Sequence, residues 1–225
     1  MPGSDANRSR LKAKKQKPSI ADHEEEKELF ARGYSFIAGV DEVGRGALAG
    51  PVVAAAVILP KKIGRSLLGK VRDSKQLDHA RREVLFDIIT KHAITIGIGI
   101  VASEVIDEIN ILNATRRAMA EAIAKLDPAP DYLLIDGRTL LRLKYLQKAI
   151  VKGDCKCISI ASASIIAKVT RDRMMVEFAR QYPGYGMAEH KGYGTAFHLS
   201  CLEKMGPCKI HRRTFDPVRQ TVRLV

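Results

Sequence analysis

Apolar residues along this chain follow two spacings, one typical of strands and one typical of helices. Runs rich in valine and isoleucine, flanked by glycine or charge, predict strands at 36–40, 52–59, 93–101, 132–135 and 149–151. Apolar positions three or four residues apart predict helices at 78–92, 110–127 and 156–181, and over part of 196–205. Short links favour antiparallel pairing among the first three strands, and the later strands alternate with helices. The pattern predicts an α/β domain, a mixed sheet flanked by helices with a helical C-terminal portion.

The two ends of the chain differ from its middle. Residues 1–18 are polar, basic and aperiodic, so we expect a disordered tail. Asp22 and Glu25 have the spacing of a capping box, which predicts a short helix before the first strand. We expect one catalytic or binding domain over 19–220 and a C-terminal tail over 221–225.

The charge of the chain is strongly positive. The 225 residues carry a net charge of +13, and the isoelectric point is near 9.7. Residues 1–17 contain six Lys or Arg and one Asp, which places +5 in the tail and leaves +8 for the rest. Nucleic acid is the commonest partner of such a protein, although charge alone fits a merely basic soluble protein equally well.

No targeting or membrane segment is indicated by the sequence. No apolar run approaches the roughly 18 residues that a membrane-spanning helix needs. The basic N-terminus lacks the apolar core of a secretory signal, so we expect a cytoplasmic protein. Four cysteines at Cys-x-Cys and Cys-x6-Cys spacings match neither a disulfide framework nor a common zinc motif, and we interpret them as ordinary thiols.

Four acids follow or interrupt predicted strands. Asp41 and Glu42 stand within an apolar run, where burial of charge is costly unless a cation or a catalytic task offsets it. Asp136 follows the fourth strand and Asp154 the fifth, and ligands of open α/β sheets bind at such strand ends. Carboxylates gathered there suit Mg²⁺ or Mn²⁺. Taken singly, Asp154 equally fits a helix cap and Asp136 a turn.

Two glycine-rich segments are candidates for ligand contact. Residues 44–50 (GRGALAG) are followed by a predicted strand rather than a helix, which disfavours a dinucleotide-binding loop. The backbone amides of this segment and the side chain of Arg45 are better suited to contact a sugar–phosphate chain. Tyr193 lies between two glycines, so its ring either faces a sugar or base or covers the core.

These motifs together resemble bacterial ribonuclease HII, over most of the chain from Ile37 to Val218. The matching segments are GVDEVGRG at 39–46, DSK at 73–75, NILN at 110–113, IDG at 135–137, GD at 153–154, SIASASIIAKVTRDR at 159–173, HKGYGT at 190–195 and HR at 211–212. One departure is visible, since Cys155 and Cys157 replace the small residues that usually follow the fourth acid.

The resemblance implies a ribonuclease H-like fold and an endoribonuclease activity. Because nothing in the sequence indicates an obligate dimer, we expect a monomer. It would cut the RNA strand of RNA·DNA hybrids and nick 5′ of ribonucleotides embedded in DNA, leaving 5′-phosphate and 3′-OH ends. Two ions of Mg²⁺ or Mn²⁺ would bind the four carboxylates Asp41, Glu42, Asp136 and Asp154. Gly44, Arg45 and Gly46 would contact the backbone and 2′-OH, and Tyr193 the sugar on the DNA side.

Several basic groups and one rival function remain open. We expect Lys75, Lys168 and Arg171 to bind phosphates or to be solvated charges, and His190, His198 and His211 to be structural or groove residues rather than bases. The alternative is a non-catalytic nucleic-acid-binding module, which gives the acids no reason to cluster. The C-terminal segment 220–225 is also a weak candidate for docking on a sliding clamp.

Overall fold

A five-stranded mixed sheet forms the centre of the computed structural model, which describes residues 24–62 and 78–222. The strands are β1 (Ile37–Val43), β2 (Val52–Ile58), β3 (Thr95–Val101), β4 (Tyr132–Asp136) and β5 (Leu146–Ile150). Their order across the sheet is β3-β2-β1-β4-β5. The first three strands pair antiparallel, whereas β4 runs parallel to both β1 and β5. The predicted α/β class and the antiparallel pairing of the first three strands are confirmed.

Helices cover both faces of this sheet. They are α1 (Glu24–Ala31), α2 (His79–His92), α3 (Ser103–Ala124), α4 (Ile158–Gln181), α5 (Met187–His190), α6 (Ala196–Met205) and α7 (Val218–Val222). On β2, Val53, Ala55 and Val57 face α2 and α4, while the alternate residues face α3. Strand alternation therefore divides the core into two layers, and this explains why β2 is apolar at every position.

The structure contains the predicted strands and helices, and their ends differ from the prediction by a few residues. Strand β1 continues to Val43, so Asp41 and Glu42 lie inside it, opposite Ala55 and Ala54 of β2. Asp78 is the N-cap of α2, and its side chain accepts a hydrogen bond from the amide of Arg81 at 2.8 Å. The tail 1–18, Asp22, Lys75 and residues 223–225 lie outside the described residues.

Helix α3 differs most from its prediction. Asn110 interrupts it with φ 64° and ψ 163°, and its Oδ1 accepts hydrogen bonds from the amides of Leu112 and Asn113. The sequence therefore predicted the start of the second half correctly, because Asn110 caps that half. The sequence analysis did not predict the first half of the helix, which begins at Ser103. Within the described segments, no helix is long and apolar enough to cross a membrane.

Close packing of α3 on β3 depends on glycine. A Cβ atom added at Gly99 would lie 1.9 Å from the carbonyl oxygen of Ala118, and one at Gly97 would lie 1.9 Å from that of Ala122. Real Cβ atoms do not approach backbone oxygens so closely. The glycines thus let the helix approach the sheet and form the face that buries Ala118 and Ala122.

We expect Gly99→Ala to lower the free energy of unfolding by about 1–3 kcal/mol, because the helix must move away from the strand. Urea denaturation followed by circular dichroism measures this. Gly46→Ala is the matched control, since a Cβ there meets no atom within 4 Å and its φ is not positive. Equal stability of the two variants would contradict the packing argument.

Candidate active site

Three of the four predicted acids lie on neighbouring strand ends. Asp41 and Glu42 lie towards the end of β1, and Asp136 is the last residue of β4. Because β1 and β4 are parallel neighbours, with Val40 opposite Ile135, Asp41 and Asp136 reach the same edge of the sheet. Asp154 belongs to a short 3₁₀ turn (Gly153–Cys155) just before α4. Asp41 and Asp154 are buried, with 5% and 3% of their surface exposed.

The sequence left a turn role open for Asp136 and a helix-cap role open for Asp154, and the structure shows neither. The N-cap of α4 is Cys157, so Asp154 does not cap that helix. Asp136 Oδ1 accepts a hydrogen bond from the amide of Gly153 at 2.6 Å, rather than from an amide of its own turn. This bond joins the end of β4 to the turn that carries Asp154.

Burial and like charges raise the pKa values of the acids on β1. The pKa of Asp41 is well above its ordinary value because of burial and the nearby charges of Glu42 and Asp136, although a hydrogen bond with Ser164 acts against this. Burial also raises the pKa of Glu42, and its ion pair with Arg45 at 3.1 Å partly offsets the rise. The cluster therefore holds more negative charge than its surroundings neutralise.

The donor chemistry of these acids fits divalent cations that prefer oxygen ligands. An added cation would relieve the repulsion that helps to raise the pKa of Asp41. Among the described residues, no group of three or more His, Cys, Asp or Glu side chains is already arranged to hold an ion.

Two buried arginines hold the glycine loop that follows β1. Arg212 donates to the carbonyl oxygens of Gly44, Arg45 and Gly50 at 2.7, 2.8 and 2.9 Å. Arg171 donates to those of Ala49 and Pro51. Neither guanidinium is exposed to solvent. The prediction that Arg171 binds phosphate or is solvated is wrong, because its buried guanidinium donates from Nε, Nη1 and Nη2 to backbone carbonyls.

This arrangement turns the amides of the loop towards solvent. The carbonyls of Gly44 and Arg45 accept from Arg212, and the amides of Arg45 and Gly46, on the other side of the same peptide planes, donate to no acceptor within the described part of the chain. A Cβ at Gly46 would meet open space. The loop thus presents free donors and an unobstructed surface next to Glu42.

The buried Arg171 also attaches the segment that carries Tyr193. Arg171 donates to the carbonyl of Lys191 at 2.9 Å, and its guanidinium lies 5.5 Å from the centroid of the Tyr193 ring. The amide of Leu48 donates to the carbonyl of Gly192 at 2.8 Å. Tyr193 is 36% exposed, so its ring does not cover the core. The two glycine-rich segments form one continuous surface.

Two buried histidines, His198 and His211, and the half-buried His190 lie behind this surface. His198 Nδ1 donates to the carbonyl of Tyr193 at 3.0 Å, so its Nε2 must accept from His211 Nε2, also at 3.0 Å. His211 Nδ1 in turn accepts from the amide of Cys208. His190 stacks on His198 with centroids 4.4 Å apart. Both buried rings are therefore neutral, and burial together with the neighbouring histidine lowers the pKa of His211 to about 4.

The sequence analysis did not single out two basic residues that line the acidic cleft. Arg116 of α3 and Arg138, which follows β4, border a hollow of about 130 Å³ together with Glu42 and Asp136. No local pattern distinguishes them from other surface arginines. Lys168, by contrast, pairs with Asp172 at 2.7 Å rather than standing free in solvent.

A mixed sheet of order β3-β2-β1-β4-β5, with acids at the adjacent ends of β1 and β4, is the architecture of ribonuclease H-like nucleases. The sequence model of one family, Ribonuclease HII, matches residues 38–218. The chain is 58% identical over 190 residues to the Ribonuclease HII of Geobacter metallireducens, covering 84% of this chain and 88% of that one. It is 55% identical over 197 residues to that of Listeria innocua, covering 87% and 73%.

Solved structures agree with this assignment. The ribonuclease H2 of Pyrococcus horikoshii superposes with a TM-score of 0.71 at 28% identity, covering 84% of this chain and 97% of that one. The RNase HII chain from a complex with PCNA of Archaeoglobus fulgidus gives 0.69 at 26% identity, covering 80% and 95%. A ribonuclease HIII solved with Mn²⁺ gives 0.66 at 20% identity, covering 85% and 70%, which shows the fold alone.

The chain belongs to the ribonuclease HII family. It is a metal-dependent endoribonuclease with ribonuclease H activity.

Removing one charge from the cluster should stabilise the metal-free protein. Because the pKa of Asp41 is raised in the folded state, its ionisation costs folding free energy as the pH rises. We expect Asp41→Asn to raise the free energy of unfolding at pH 7 by about 1 kcal/mol in chelator. Added Mg²⁺ should raise the melting temperature of the wild type and not that of the variant. Calorimetry checks both, with the exposed Asp87→Asn as control.

The buried histidines should make the fold sensitive to acid. Since the pKa of His211 is lowered in the folded state, the unfolded state binds more protons between pH 6.5 and 4. Stability should fall as the pH decreases through that window, by up to about 1.4 kcal/mol per pH unit for this group. Urea unfolding at pH 7, 6 and 5 should show a smaller slope for His211→Gln than for the wild type. The exposed His92→Gln is the control, and an unchanged slope in His211→Gln would contradict the argument.

Proposed function

We propose that this protein nicks duplex DNA 5′ of embedded ribonucleotides as well as cutting the RNA strand of RNA·DNA hybrids, leaving 5′-phosphate and 3′-OH ends. One observation carries the proposal. The acids of β1 and β4, the amides of Arg45 and Gly46, and the exposed ring of Tyr193 belong to adjoining segments held in one surface by Arg171 and Arg212.

The four carboxylates Asp41, Glu42, Asp136 and Asp154 would hold two divalent ions, Mg²⁺ or Mn²⁺. Such ions neutralise developing charge on a phosphodiester and favour ionisation of water at neutral pH. The contribution of the protein is to orient the ligands. Asp41 Oδ1 accepts from the amide of Glu42, and Asp136 Oδ1 accepts from that of Gly153, so backbone amides orient both of these carboxylates.

Selection of RNA would depend on the loop that follows β1. The 2′-OH distinguishes a ribonucleotide from a deoxyribonucleotide along the backbone. The amides of Arg45 and Gly46 are free donors on an unobstructed surface, and they adjoin Glu42. They can donate to that hydroxyl or to the neighbouring phosphate. Tyr193 lies farther along the same surface, where its ring can contact the sugar of the next, deoxyribose, nucleotide.

The histidines support hydrolysis without a protein base. His198 and His211 are neutral, buried and hydrogen-bonded to each other, so neither reaches a substrate. His190 Nε2 donates to the carbonyl of Tyr185, and its Nδ1 accepts from the amide of Gly192. All three rings therefore position the Tyr193 segment.

The rival function, a non-catalytic nucleic-acid-binding module, has less support. It would keep the loop amides and the basic surface, but the raised pKa of Asp41 shows that the buried acids cost stability. A binding module would gain nothing from that cost. We also propose a cytoplasmic monomer. Docking of residues 220–225 on a sliding clamp remains a weak prediction, since 223–225 lie outside the described residues.

The proposal predicts a single nick in a DNA duplex that carries one ribonucleotide. With Mg²⁺ or Mn²⁺, the wild type should cut 5′ of that nucleotide, and Asp41→Asn should lose the activity because a ligand charge is missing. Gel electrophoresis of end-labelled strands measures the product. Binding without any cut in either ion would favour the rival module.

Gly46→Ala tests the loop separately. Its methyl group clashes with nothing in the protein, so the melting temperature should not change. It would stand between the loop amides and a sugar, and we expect kcat/KM to fall about tenfold, the equivalent of one hydrogen bond to the substrate. Unchanged cleavage would show that the substrate does not approach Gly46.

A further inference from the structure

An arginine-lined cleft extends from the carboxylates along α3. The hollow that contains Glu42 and Asp136 shares Arg116 and Leu141 with a second hollow of about 370 Å³. Asn113, Arg117 and Arg142 line the second hollow, and no acid among the described residues borders it. The cleft is thus acidic at one end and basic along the rest of its length.

Arg116 is the central residue of this cleft. Its Nε is buried, yet it donates to no acceptor anywhere in the described chain. A buried donor without an acceptor costs about 1–3 kcal/mol, so the packing of this side chain is not explained by stability. The guanidinium borders both hollows and can supply the fork of donors that suits a phosphate.

The charges around Arg116 are only partly compensated. Arg45 pairs with Glu42 at 3.1 Å, and Arg117 pairs with Glu121 at 2.9 Å. Within the described residues, Arg116, Arg138 and Arg142 form no ion pair. Elsewhere on the surface, arginines such as Arg173 and Arg180 do pair with nearby acids. Three guanidiniums that have no ion pair in the described segments thus surround one cleft and could bind an anion.

The position of the cleft indicates which anion. Arg116 lies on α3 and Arg171, which holds the Tyr193 segment, lies on α4. These two helices cover opposite faces of the sheet, and the acids of β1 and β4 lie at the strand ends between them. A nucleic-acid backbone that crossed the acids from Tyr193 would reach the arginine cleft next to them.

We propose that Arg116, Arg138 and Arg142 form a subsite for backbone phosphates of the nucleic acid, on the side of the carboxylates opposite Tyr193. The inference rests on the proposed function for the identity of the substrate. The subsite reads no base, because its donors meet phosphate oxygens, and it fixes the register of the backbone relative to the acids.

Binding in the absence of divalent ions tests the subsite without any cleavage. Fluorescence anisotropy with a labelled RNA·DNA hybrid in chelator gives the Kd and its salt dependence. We expect Arg116→Met to weaken binding at least about tenfold, the effect of removing one charged hydrogen bond. The slope of log K against log salt should decrease by about 0.9 for each phosphate that the variant no longer neutralises. Arg180→Met, which removes the same charge from a distant exposed site, should change neither value.

Neutral phosphates locate the subsite on the substrate. A series of hybrids, each with one methylphosphonate, should contain a position that weakens wild-type binding and has little further effect on Arg116→Met. Arg138→Met should give a similar pattern at the same or a neighbouring phosphate. Because Arg138 is exposed, that variant decides the question if Arg116→Met fails to fold.

The subsite is overturned if the folded variants bind with the Kd and salt slope of the wild type, or if no phosphate position couples to either arginine. These outcomes are separate from the proposed function. A protein that binds through the arginines and never cuts retains the subsite and loses the nuclease proposal. One that cuts, with binding unaffected by both variants, retains the nuclease and loses the subsite.

Discussion

Two buried guanidiniums, Arg171 and Arg212, hold together the surface on which the rest of the site depends. Each donates to three backbone carbonyls, and those carbonyls belong to residues 44–51 and to Lys191. No carboxylate accepts from either group in the hydrogen bonds of the described chain. Burying two neighbouring positive charges in this way is costly, and it lowers the pKa of Arg212. In return, the two arginines fix the geometry of the loop. Their hydrogen bonds hold its carbonyls towards the interior, and the amides of the same peptide groups therefore face outward.

The acids of β1 are a second group of buried charges that reduce stability, here with negative rather than positive charge. Asp41 and Glu42 interrupt an apolar strand whose other residues pack on both layers of the core. Their position next to Asp136 follows from parallel pairing of β1 with β4, so the sheet itself brings like charges together. In the proposed function, divalent ions bound at these acids would recover the free energy lost to burial and repulsion. Stability and the proposed function would then oppose each other at Asp41.

The two helices on opposite faces of the sheet carry separate parts of the proposed nucleic-acid surface. Helix α4 supplies Arg171, through which the Tyr193 segment is attached. Helix α3 supplies Arg116, whose buried Nε has no acceptor within the described residues. Glycines at Gly97 and Gly99 let α3 approach the sheet. The spacing between the carboxylates and the arginine cleft thus depends on helix–sheet packing as well as on the strands.

The sequence alone determined the strands, the main helices and the acids within or after strands, because hydrophobic periodicity and capping are local properties. It also determined the start of a helix at Asn110, whose side chain caps its own neighbours. Tertiary structure alone decided that Arg171 is a buried support and that Arg116 borders the acidic cleft. Arg212 and Gly44 are 168 residues apart, and no local pattern states which carbonyl a distant guanidinium will meet. Such pairings follow from packing, since each buried donor must find an acceptor only after the elements have come together.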